Sequence, residues 1–346
     1  MLRELRPPTL TDVEAAAERI RAHALRTPLV RLNMVDAPAE IWLKLENLQP
    51  IGSFKIRGAG NALASLSPDD LADGVYTASA GNMAQGVGWM ARSLRVPWSV
   101  VVPDHAPATK LAAIQRLGGR IISVPFDAWW RVIIDHSCPG LDGFFVHPVC
   151  DPAVIAGNGT IGLEIAHDLD AFDAVIVPWG GGGLSSGIAA ALQSLRPGTP
   201  VFAAEVETSA ALAAAFAAGR PVDVAYAPTF IDGIGSRRVL EPMWPLAKQL
   251  LAGSIVSSVD EVAAAIRLLA ERNRVIAEGA GAAALAAALS GRAGGGRIVC
   301  IVSGGNIDAR TLAGLLADRE PLPKVGPSGY QDRPGIEHRG RPGDEG

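Results

Sequence analysis

Short, mostly apolar runs that alternate with helical periodicity constrain this chain more than any other feature. The runs are Ile41–Leu45, Val75–Thr77, Trp98–Val102, Arg120–Val124, Ala174–Val177, Val201–Glu205 and Arg297–Val302. Between them lie helical patterns over Ala84–Leu94, Thr109–Leu117, Ile161–Leu169, Gly187–Leu195 and Ser209–Ala217. A strand apolar on both faces must be covered on both faces, and intervening helices supply that cover for parallel strands. The expected class is therefore α/β. Upstream, Thr11 stands three residues before Glu14 and predicts a capped helix running to Ile20. A length of 346 residues suits about two domains of roughly 150 residues. The segment 73–150 holds its own strand–helix–strand series and reads as a small domain inserted between 1–72 and 151–319. The segment 320–346 is rich in Pro, Gly and charge without periodicity, and is expected to be disordered.

Composition removes several function classes. Hydrophobic residues make up 49% and charged residues 19%, enough for sizeable cores, and no stretch reaches the ~18 consecutive apolar residues of a spanning helix. A net charge of −4 gives no field to attract nucleic acid or an anionic membrane. Cys138, Cys150 and Cys300 are odd in number and share no metal-ligand spacing, which favours a reducing cytoplasm and argues against a disulfide framework or zinc site. The first twenty residues lack the apolar run of a signal peptide.

Four constellations carry chemistry. In QPIGSFKIRGAGNA, Lys55 follows a Pro-Ile-Gly turn and precedes a small-residue helix start. A lysine held rigidly there, flanked by Phe54 and Ile56, suits covalent work on carbonyls; taken alone it reads as a surface lysine at a helix start. In PWGGGGLSSG, Gly180, Gly181, Gly182, Gly183 and Leu184 lie between an apolar strand and a helix. Converging N–H groups at a helix N-terminus suit a phosphate, although the spacing is neither the dinucleotide fingerprint nor the Walker pattern. A flexible turn is the plain alternative. In TASAGNMAQG, Ser79, Ala80, Gly81 and Asn82 offer successive N–H groups for a substrate carboxylate, or merely a helix cap. In IVSGGNID, Ser303 stands at the carboxyl end of the last apolar strand, where open α/β sheets bind ligands.

In this order, the motifs resemble the fold-type-II pyridoxal-phosphate enzymes of the threonine and serine dehydratase family. The resemblance runs from about Arg26 to Leu316. It rests on TPLVRL, WLKLENLQPIGSFKIRGAGNAL, SAGNMAQGV, VIAGNGTIGLEI, GGGGL, FIDGIG, ERNRVIAEGAGAAALAA and VSGGN. It implies two parallel-sheet domains of the tryptophan synthase β-subunit type, and pyridoxal 5′-phosphate held as a Schiff base on Lys55. Lys55 would also shuttle the α-proton. The resemblance gives the cofactor phosphate to Gly180 through Leu184, the ring flank to Phe54, the phenolic oxygen to Asn82 and the pyridine nitrogen to Ser303. Gly233 would lie against the cofactor, and Ser79 through Asn82 would grip the substrate carboxylate. The implied reaction removes water and then ammonia from a small hydroxy-amino acid, leaving a 2-oxo acid. A homodimer or homotetramer is expected.

Several positions bear on the choice among relatives. Ala80 stands where racemases of this family place a serine hydroxyl, which favours elimination. Met83 replaces the histidine usual after the asparagine. Trp179 and the pair Trp129-Trp130 are bulky and are expected to pack the core more readily than to line a pocket. Glu205 resembles the first ligand of a cation site in some relatives, but Ala211 stands where they place a carboxylate, so no metal is expected. The chain ends soon after VSGGN, so feedback by isoleucine through an appended domain is not expected. A bulkier or acidic 3-hydroxy amino acid, racemisation, a cofactor-binding protein without catalysis, and a nucleotide-dependent oxidoreductase stand as alternatives.

Overall fold

The computed structural model describes residues 5–317. Ten strands form two sheets: β1 (Leu29–Arg31), β2 (Glu40–Leu45), β3 (Val75–Ala78), β4 (Trp98–Pro103), β5 (Arg120–Val124), β6 (Phe144–Phe145), β7 (Ala174–Pro178), β8 (Val201–Val206), β9 (Gly253–Ser257) and β10 (Arg297–Val302). The larger sheet has the order β1-β2-β10-β7-β8-β9 and the smaller β5-β4-β3-β6. Every pairing is parallel except β1 with β2. The α/β class with two parallel sheets is borne out, and all seven expected strands are present.

Apolar side chains fill both faces of the larger sheet. Ile176, Cys300 and Ala204 pack on one side with the alanine-rich helix Gly279–Leu289, and Val175, Val177, Val299 and Ile301 on the other with the helices Pro152–Asp168 and Gly183–Leu195. The smaller sheet has its own clusters, around Val100 and Val102 on one face and Tyr76 and Val101 on the other.

Two details correct the reading of the sequence. The first helix begins at Leu10, and its capping box uses Thr9 and Asp12, not Thr11 and Glu14; the Thr9 hydroxyl accepts from the Asp12 N–H at 3.2 Å. The helix read as Ile161–Leu169 begins nine residues earlier, at Pro152. Asp151 caps it, accepting from the Ala153 N–H at 2.8 Å, and the proline occupies a first-turn position where its missing N–H costs nothing. Gly159 lies mid-helix for a packing reason. A β-carbon on Gly159 would stand 2.9 Å from the Gly187 carbonyl oxygen of the neighbouring helix, so the glycine permits a close crossing. The segment 320–346 lies outside the described residues.

Candidate active site

The carboxyl ends of β3, β7 and β10 and the start of the helix Lys55–Ala64 surround one cavity of about 490 Å³. Every residue to which the resemblance gives a cofactor or substrate role lines it: Phe54, Lys55, Ser79 through Asn82, Gly180 through Leu184, Gly233 and Ser303. Their convergence has a local cause. The segment 52–54, just before Lys55, is stitched to the loop after β10. The Phe54 N–H donates to the Ser303 carbonyl at 3.0 Å, and the Gly305 N–H donates to the Gly52 carbonyl at 2.9 Å.

Lys55 is the first residue of its helix, and its Nζ donates to the Pro148 carbonyl at 3.1 Å. It stands 5.1 Å from the Phe54 ring centroid. Burial lowers its pKa to about 8, although the nearby charge of Glu278 pulls the other way. A lysine so placed supplies neutral amine near neutral pH, as a nucleophile or proton acceptor must. The turn carrying Pro148 is held by His147. Its Nδ1 accepts from the N–H groups of Val149 and Cys150 at 2.9 and 2.7 Å, and its Nε2 pairs with the Ile133 carbonyl at 3.1 Å. Burial pushes the imidazole down to about 3, so it is neutral and serves as a rigid brace.

The helix behind Lys55 is pinned by Arg57. Its guanidinium grips Glu46 through two 2.8 Å bonds, and it reaches Glu164 at 2.6 and 2.9 Å. Lys44 closes the network on Glu164 at 2.6 Å. All of this is buried or nearly so.

The glycine loop is a cradle of backbone donors. Gly182 has φ +98°, and a β-carbon there would meet the Trp179 ring at 2.3 Å. Among the described residues, the N–H groups of Gly180 through Leu184 have no backbone acceptor. Gly183 begins the helix, which adds its positive end. Five consecutive free donors at a helix start fit a phosphate. The donor set therefore suits pyridoxal phosphate: an amine for its aldehyde, a cradle for its phosphate and the Ser303 hydroxyl for its ring nitrogen.

The bulky residues divide. Trp179 is buried in the core under the glycine loop, as expected, but Trp129 and Trp130 line the cavity together with Phe126. Met83 also lines it and is buried. Glu205 lies elsewhere. Its carboxylate accepts from the N–H groups of Leu212 and Ala213, each at 2.8 Å, and from the Ser254 hydroxyl at 2.6 Å.

Sequence reasoning gave no role to Glu278 and Asn306. The Asn82 amide donates to Glu278 Oε1 at 2.8 Å and accepts from Asn306 Nδ2 at 2.8 Å. Both residues sit inside motifs already noted, IAEGAG and VSGGN, but neither motif signals its partner.

The chain belongs to the pyridoxal-phosphate dependent enzymes, whose family model matches residues 20–304. Pyridoxal phosphate is therefore its cofactor, and its architecture is that of fold type II. It is 38% identical to the L-threonine ammonia-lyase of Thermotoga maritima over 310 residues, 88% of this chain and 77% of that one. It is 38% identical to the catabolic L-threonine dehydratase of Escherichia coli, over 87% of this chain and 94% of that one. Among solved structures, the T.th. threonine deaminase superposes with TM-score 0.80 at 34% identity, over 87% of this chain and 99% of that one. Maize serine racemase gives TM-score 0.82 at 30% identity, over 90% and 98%. Among the described residues no helix is long and apolar enough to cross a membrane.

Proposed function

We propose that this enzyme converts a β-hydroxy-α-amino acid, L-threonine or L-serine, to a 2-oxo acid and ammonia. The observation that carries the reading is the convergence of Lys55, the glycine cradle and the Ser79–Asn82 loop on one cavity. The names of the relatives, threonine ammonia-lyase and threonine dehydratase, point the same way.

When bound, pyridoxal phosphate supplies an electron sink conjugated to the substrate amine, which makes the α-proton acidic. Gly180 through Leu184 would hold its phosphate, and the Ser303 hydroxyl would serve its ring nitrogen. Phe54 and Gly233 would flank it. The Ser79–Asn82 loop binds the substrate carboxylate through N–H groups at a helix start. Lys55, its pKa lowered to about 8, takes the α-proton. The substrate's Cα–H and Cβ–O bonds break, the hydroxyl leaves with a proton as water, and a water then replaces the amine, which leaves as ammonia. One 2-oxo acid and one ammonia form per substrate.

The methyl group of Ala80 in the carboxylate loop cannot return a proton to Cα, which supports elimination over racemisation. Residues 73–150 are read as a small domain against 1–72 with 151–319. Three free cysteines support a cytoplasmic setting in amino-acid metabolism. A homodimer or homotetramer completes the proposal, and light scattering separates these from a monomer.

The test is a substrate panel with the holoenzyme: L-threonine, L-serine, 3-hydroxyaspartate and an aromatic 3-hydroxy amino acid. Equal yields of 2-oxo acid and ammonia from L-threonine or L-serine are expected. A cofactor-loaded protein that forms neither product from any of the four refutes the proposal.

A further inference from the structure

Glu278 occupies the N-cap position of the helix Gly279–Leu289, with extended backbone at φ −75° and ψ 168°. A carboxylate there ordinarily accepts from an N–H of its own first turn. This one makes no such bond. Instead it turns into the cavity, where it is buried with 6% of its surface exposed. Oε1 takes a 2.8 Å hydrogen bond from Asn82 Nδ2, across 196 residues of sequence. The main chain is fixed as well, the Glu278 N–H donating to the Gly304 carbonyl at 3.0 Å.

The amide of Asn82 has two donors on Nδ2 and an acceptor on Oδ1. Oδ1 accepts from Asn306 Nδ2, which also donates to the Ile51 carbonyl at 2.8 Å. An ionised Glu278 is acceptor-only, and Asn306 Nδ2 is donor-only. Between them they leave Asn82 one orientation. Its remaining Nδ2–H is the group offered to the cavity, and its carbonyl is not. A protonated Glu278 weakens this constraint, because it gains a donor and loses the charge that strengthens the bond from Asn82, leaving Asn306 to hold the amide alone.

Resting on the function proposed above, we propose that ionised Glu278 is a positioning residue that, with Asn306, fixes the Asn82 amide so that its free N–H meets the cofactor's phenolic oxygen. The enzyme is then active when Glu278 carries its charge. Three charged groups act on Glu278 besides its burial. Asp232, in the FIDGIG loop, disfavours ionisation; Lys110, on the helix Ala108–Arg116, and Lys55 favour it. Burial is the largest influence, and the carboxyl rises to about 7. The switch therefore lies in the working range.

The experiment titrates the wild-type holoenzyme, E278Q and D232N across about pH 6 to 8, reading both kcat/KM and the visible absorbance of the bound cofactor. Wild type should gain activity with rising pH about a midpoint near 7, with a matching absorbance transition. E278Q is isosteric and should lose that limb and that transition. Its kcat/KM at the upper end should fall about 10- to 100-fold from lost orientation. D232N removes a charge that opposes ionisation and frees Lys110 from its ion pair, so both changes move the midpoint to lower pH. This second variant keeps Glu278 in place and answers even if E278Q does not fold. Limb and transition retained in E278Q, or an unmoved midpoint in D232N, overturn the role of Glu278 alone. A wild-type protein without any visible cofactor band overturns the proposed function with it.

Discussion

Replacing Arg57 with methionine should destabilise the protein by an amount that depends on pH in a defined direction. The guanidinium is 98% buried and makes bonds to Glu46, Glu164, Thr160 and the Leu25 carbonyl. Glu46 is fully buried. Burial alone would raise its carboxyl. The charge of Arg57, the bonds from Arg57 and Thr27, and the charge of Lys44 together hold it below its usual range. A carboxyl depressed in the folded state contributes stability that is present above its unfolded pKa and lost as pH falls through the folded value. Without Arg57 the desolvation of Glu46 dominates and its pKa rises. The folded variant then binds a proton that the unfolded chain releases, so the variant loses stability as pH rises above the unfolded carboxyl value. Breaking a buried pair from one side costs about 3–5 kcal/mol at neutral pH. With an unfolding entropy of about 2.1 cal/mol/K per residue over roughly 310 residues, that is about a 5–8 °C drop in Tm. Melting curves of wild type and R57M followed by circular dichroism read it. The deficit should be largest near pH 7.5 and shrink towards about pH 4.5. A deficit below about 1 kcal/mol, or one equal at both pH values, would refute the reasoning.

Two further substitutions test the site. Gly182→Ala places a side chain on a left-handed backbone position and drives it against the buried Trp179 ring, so cofactor affinity should fall about tenfold for about 1–2 kcal/mol of backbone strain. Fluorescence titration with pyridoxal phosphate measures this, and unchanged affinity removes the loop from the phosphate site. Ala80→Ser places a hydroxyl in the carboxylate loop, so the ratio of D-serine formed to pyruvate formed from L-serine should rise. Chiral chromatography reads the ratio, and an unchanged value separates residue 80 from proton return.

Much of the fold was legible because parallel strands buried on both faces announce themselves, as Val75–Thr77 and Arg297–Val302 do without any tertiary knowledge. The missed strands lack that signal. β1 has three residues and pairs antiparallel at the sheet edge, β6 has two, and β9 reads Gly-Ser-Ile-Val-Ser, whose ends mimic a turn. Lys55, the glycine loop and Ser303 were visible because each needs a local motif: a small-residue helix start, a run of glycines, a strand end. Glu278 was not. Its neighbours in sequence are alanines and glycines that describe a helix packed on the sheet, while the partner that gives it meaning, Asn82, is distant in the chain. His147 was hidden for the same reason, since its work is to brace a turn. The tryptophans show the converse limit. Nothing in their flanking sequence separates Trp179, beneath the glycine loop, from Trp129 and Trp130, which face the cavity.

The central claim is that Lys55 carries the cofactor. The most direct test is to load the protein with pyridoxal phosphate, reduce it with borohydride and map the modified peptide by mass spectrometry, with K55A treated in parallel. A single phosphopyridoxyl adduct is expected on the peptide containing Lys55, with no adduct and no visible band in K55A. An adduct on Lys44, Lys110 or Lys248 in place of Lys55, or a K55A protein that keeps the band, would contradict it.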